Sequence, residues 1–140
     1  MKLGQIWNVL AAFNALANLK KPPKIAYRLM KYERKLQSEH RLCEIQRSKI
    51  VCEIAGVAFG SPEAQTTVLK VGTPEFDAFL AKFNEFLENE SDLQPIPLSM
   101  DALIEALDAE KGNVLSEADL ALIEPFFEEP KAATDLKVVS

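Results

Sequence analysis

Apolar residues recur at helical spacing from the start of the chain. Leu3, Ile6, Trp7, Leu10, Phe13 and Ala17 mark one face, which predicts a helix over residues 3–18. Lys20-Lys21-Pro22-Pro23 stops it, because proline lacks the donor N–H and disfavours helical angles in the residue before it. Proline is accepted in a first helical turn, so a second helix can begin at the same place and run to about Gly56. Its seam is Ile25, Leu29, Leu36, Cys43 and Ile50, with Tyr32 on the same side; from Leu29 onward the spacing is seven. Two helices joined by so short a turn predict a long antiparallel helical hairpin.

The pattern changes after Gly56. Gly56, Gly60 and Pro62 interrupt helix, and Thr66-Thr67-Val68-Leu69-Lys70-Val71 is β-branched, so 57–71 reads as strand, with Val57-Ala58-Phe59 as the hairpin partner. Thr73-Pro74-Glu75 is a helix start: a capping hydroxyl, a first-turn proline and an acid near the positive helix end. That helix, ending near Glu90, aligns Phe76, Phe79, Leu80, Phe83 and Leu87. Leu93 to Leu98 alternates apolar with polar or proline and suits an edge strand or an extended segment. Ser99 caps a helix over 100–109. Ser116-Glu117-Ala118-Asp119 opens another that Pro125 ends. The fold class expected is α+β, mostly α: the helical hairpin, a small β-sheet from 57–71 and 93–98, and three shorter helices. Residues 1–130 form a single domain on this reading and 131–140 a flexible tail.

Composition bears this out as a chain able to bury a core, with 48% hydrophobic and 26% charged residues. No apolar run reaches the roughly 18–20 residues of a membrane span, so no membrane partner is expected. Cys43 and Cys52 lie on one predicted helix, about 13.5 Å apart along its axis, beyond the ~7 Å limit for a bridged pair. Reduced, buried thiols follow.

Charge changes the picture more. Residues 20–50 hold ten Lys/Arg and three acids, whereas 75–129 hold fifteen Asp/Glu against Lys82 and Lys111, a split hidden in a net charge of −5. Lys21, Lys24, Arg28, Lys31 and Lys35 are spaced 3, 4, 3, 4, and fall in roughly an 80° sector beside the apolar seam. They are the candidate anion-binding residues: an arginine can grip a phosphate bidentately, and lysines act as flexible point charges. Three readings compete for this stripe. It pairs with the acids of 75–129, within one chain or across an oligomer; it binds a small anionic ligand such as a nucleotide; or it binds extended nucleic acid, which the pI near 5.0 disfavours.

Catalytic constellations are mostly absent from the sequence. His40 is the lone histidine, and its i, i+3 partner Cys43 completes no metal motif, so neither a metal nor a cofactor is expected and His40 reads as structural. The glycines form no phosphate-cradling loop, and acidic pairs such as Glu128-Glu129 read as a solvated face.

Three stretches together resemble a group of small tailed-phage and prophage proteins of largely unassigned function: Leu19 to Lys31 around Pro22-Pro23, Thr73 to Leu87, and Leu115 to Glu129. Where many relatives have Tyr-Gly and an acidic loop, this chain has Ile54-Ala55-Gly56-Val57-Ala58-Phe59-Gly60. The resemblance implies a viral protein in the host cytoplasm or the virion, and supplies no catalytic residue. The resulting expectation is a non-catalytic phage-encoded binding protein, a homo-oligomer, that acts in counter-defence by sequestering a phosphate-bearing signal or host factor. The alternative is a structural or assembly component of the virion.

Overall fold

The caps anticipated from the sequence set the helix boundaries. In the computed structural model, which describes residues 1–128, α1 spans Leu3–Ala17, α2 Pro23–Ala55, α3 Pro62–Thr66, α4 Pro74–Leu87, α5 Met100–Asp108 and α6 Glu117–Ile123. Thr73, Ser99 and Ser116 each turn a side-chain oxygen toward the N–H three residues on, at Phe76, Ala102 and Asp119. Pro125 ends α6 in a single 3-10 turn over Glu124–Phe126. At 33 residues α2 is about 50 Å long. The fold is mostly α with a small sheet, as expected; the tail proposed for 131–140 lies outside the described residues.

The sheet is a correction. Its two strands are β1, Ile96–Ser99, and β2, Phe127–Glu128, paired in parallel with Ile96 opposite Phe127 and an irregularity before Ser99 meets Glu128. The segment 57–71 contributes no strand. Ser61 caps α3 and Pro62 opens it, while Thr66 and Thr67 donate their hydroxyls to the Glu63 carbonyl. Gly56, Gly60 and Gly72 take positive φ values of 74°, 82° and 88°, turning the chain out of any extended ladder. Val68 and Val71 are 80% and 82% exposed, and Leu69 packs only partly against the core, too little to hold a strand register.

The chain divides into two compact units. The first gathers Met1–Trp7 with Ser38–Ser91; the second gathers Asn8–Gln37 with the described residues from Asp92 onward. In the first, Ile50, Phe79 and Phe83 are buried, and Trp7, Val51, Ile54, Leu69, Phe76, Phe86 and Leu87 pack against them. The phenylalanines of α4 form a ladder, with Phe79 and Phe83 stacked at 5.6 Å and Phe83 and Phe86 at 6.2 Å. Trp7 meets the edge of this ladder at Phe83 and stacks on His40, 4.6 Å away and 8° from parallel. Near the chain start, Leu3 donates to the Asn89 carbonyl and Ser91 to the Met1 carbonyl.

In the second unit the fully buried Phe13 is the aromatic hub. It touches Tyr32 at 6.0 Å, Phe126 at 5.7 Å and Phe127 at 6.2 Å, while Leu29, Leu36, Ile96, Leu103 and Ile123 are also buried. Asn113 holds the link between α1 and α2 in place. Its Nδ2 donates to the Lys20 carbonyl (2.7 Å) and the Leu107 carbonyl (3.1 Å), and its Oδ1 accepts from the Lys20 N–H (3.0 Å). The Tyr32 hydroxyl is buried without a hydrogen-bond partner among the described residues, and burial pushes its pKa up to about 12.

Two stability changes follow. Asn113→Ala removes three hydrogen bonds and lowers the free energy of unfolding by about 1–3 kcal/mol in a denaturant titration. Tyr32→Phe deletes a desolvated, unsatisfied hydroxyl and raises stability by about 1 kcal/mol; a loss of stability would show that the hydroxyl has a partner.

Candidate functional site

Four of the five cations singled out in the sequence share one exposed face of α2. Lys24, Arg28, Lys31 and Lys35 are all solvent-exposed and lie in the second unit. The 4, 3, 4 spacing arranges them as a row about 16 Å long. Among the described residues none of the four comes within ion-pair distance of a carboxylate. Lys31 Nζ sits 5.4 Å from the centre of the Tyr27 ring, which is itself exposed. The row repels itself by a few tenths of a kcal/mol per i, i+4 pair, a penalty that a bound anion removes.

Lys21 separates from this set. It precedes α2, and its ammonium donates to the carbonyls of Leu16 (2.9 Å), Ala17 (3.3 Å) and Leu19 (2.7 Å). It therefore closes the carbonyl end of α1, where a cation also suits the helix dipole. Burial lowers its pKa, and the charge of Glu33 opposes that shift. For Glu33 itself burial raises the carboxyl pKa, with Lys21 pulling the other way. Sequence spacing could not distinguish a helix-capping lysine from a free one, because both positions fit the same 3–4 pattern.

Each unit has acids of its own. Glu88 pairs with Lys2 at 2.6 Å and Glu53 with Lys82 at 2.9 Å, both in the first unit. In the second, Asp101, Glu117 and Glu124 line a groove of about 540 Å³ with Met100, Ile104 and Leu120.

His40 is packed rather than presented. It stacks on Trp7, and its Nδ1 lies 2.9 Å from Glu44 Oε1. Cys43 and Cys52 are free, buried thiols; burial first, and then the charge of Glu39, pushes the Cys43 thiol above its ordinary value. Among the described residues no three His, Cys, Asp or Glu side chains gather as a metal site, and no helix is long and apolar enough to cross a membrane. The structure adds one concave feature that the strand reading of 57–71 concealed: a cleft of about 410 Å³ in the first unit, walled by α2 and by residues 59–67, with Arg47 and Phe59 at its edge.

The raised pKa of Glu33 fixes the sign of a pH effect. The folded state binds this proton more readily than the unfolded state, so ionising Glu33 destabilises the fold as pH rises from its ordinary value of 4.5 through the raised one. Glu33→Gln therefore melts at a higher temperature than the parent near neutral pH, and the difference shrinks below pH 4.5. A difference independent of pH would exclude Glu33 as its source. Comparison of the chain with protein-family models, with curated proteins and with solved structures returned no match, so the residues themselves carry any functional reading.

Proposed function

We propose that this chain is a non-catalytic binding protein that holds an anionic partner along Lys24, Arg28, Lys31 and Lys35. One observation carries the reading: four neighbouring exposed cations on one helix face have no carboxylate at ion-pair distance among the described residues. A row about 16 Å long on an open helix face matches a partner with several charges spread along it better than a single phosphate group. Arg28 supplies the bidentate, planar contact, and the three lysines adapt to the spacing of the anion. Lys21 has no part in it, since its donors are committed to the end of α1.

In the phage setting that the sequence resemblance implies, the partner is a phosphate-bearing signal or host factor, sequestered in the host cytoplasm. Sequestration needs affinity and no nucleophile. The second reading, a virion assembly component that works as a homo-oligomer, draws on the groove of Asp101, Glu117 and Glu124, which offers acids to a basic face.

The test is fluorescence anisotropy with two labelled probes, short-chain polyphosphate and a glutamate-rich peptide, across a salt series. The double variant Arg28→Glu with Lys31→Glu should lose at least tenfold in affinity for polyphosphate and flatten the salt dependence. The charge-matched control, Lys70→Glu with Lys111→Glu, should lose far less. Equal losses in the two variants would reduce the stripe to bulk charge and overturn the proposal. Preference for the peptide would shift the partner to an acidic protein surface.

A further inference from the structure

The first unit holds a cleft whose chemistry is independent of the α2 stripe. Its volume, about 410 Å³, lies within the usual range for small-molecule sites, roughly 300–1,000 Å³. Arg47, Ser48 and Val51 of α2 form one wall; Phe59, Gln65 and Thr67 contribute the other. Among the described residues, no aspartate or glutamate lines it.

We propose that this cleft binds a small planar molecule carrying one anionic group, with the ring against Phe59 and the anion at Arg47. Phe59 is 53% exposed, an aromatic side chain that the fold leaves in water. Lys49 Nζ approaches that ring to 5.4 Å, which places a second positive charge beside the cleft. The Arg47 guanidinium packs over Phe79, 5.3 Å from the ring centre. That contact steadies the guanidinium, while its N–H donors have no acceptor among the described residues. A carboxylate or phosphate oxygen fits those donors.

The remaining polar groups sort into spent and available. Thr67 donates to the Glu63 carbonyl at 2.7 Å and Ser61 to the Ala58 carbonyl at 2.6 Å. Ser48 and Gln65 make no such bond among the described residues and can address the polar edge of a ring. Gly60, in the cleft wall, holds a φ of +82°, and a Cβ there would meet nothing within 4 Å. Its role is to turn the chain so that Phe59 faces the cleft, not to make room. An exposed aromatic wall, an arginine with open donors and the absence of lining acids together select a planar anion over a cation or a plain sugar.

Adenosine 5′-monophosphate and indole-3-acetate are the probes, with adenosine and inorganic phosphate as controls, in isothermal titration of the full chain. The two anionic ring compounds should bind at least tenfold more tightly than either control. Arg47→Gln should weaken both probes at least tenfold, and Phe59→Ala at least threefold; both side chains are exposed, and circular dichroism and the melting temperature confirm that each variant folds. Arg28→Glu should change neither affinity, so failure here and failure of the stripe are separable. Binding by neither probe, or binding that survives both cleft variants, overturns the proposal.

Discussion

The buried seam of α2 is the constraint on which the other elements depend. Leu29, Tyr32 and Leu36 supply it to one unit, and Cys43 and Ile50 to the other. Seven-residue spacing keeps Leu29, Leu36, Cys43 and Ile50 on one side of the helix over roughly six turns, with a drift of ~20° per heptad. Each unit then completes its core with aromatic rings brought by other elements: the α4 ladder in the first, Phe13 with Phe126 and Phe127 in the second. Because the seam takes one side of the helix, the cations beside it are obliged to face water. The basic stripe is thus a by-product of register as much as of composition.

What was readable from the residues was local. Thr73, Ser99 and Ser116 announced helix starts because a hydroxyl cap followed by a proline or acid has few other uses, and Phe79 and Phe83 revealed a buried face by their period. What failed was the weighing of signals in conflict. Thr66 to Val71 has strand propensity, but Pro62 and three glycines at positive φ break the chain into turns before any partner can be found. Propensity on a largely exposed segment decides little, since strand preference is realised through packing. Phe127, in contrast, pairs with Ile96 across a separation that no local pattern encodes.

The candidate site was half legible. Periodicity placed Lys24, Arg28, Lys31 and Lys35 together, and they are together. It also enrolled Lys21, whose role depends on where the last carbonyls of α1 point. The cleft edge of Arg47 and Phe59 left no trace in the sequence, because it depends on a turn geometry at Gly60 that composition does not specify. Charge counts describe how much field a chain carries; only the fold says which charges have already been answered.

Asn113 has an implication for the order in which the molecule is made. It ties itself to Lys20 across 93 residues of chain, and the whole of 38–91 lies between the parts of the second unit. A growing polypeptide leaves the ribosome in sequence order. Phe13 and Tyr32 therefore emerge well before Phe126 and Phe127, which complete the ring cluster around Phe13, whereas α4 brings Phe79 and Phe83 to Ile50 sooner. The cluster of the first unit can therefore form before the aromatic cluster of the second is complete.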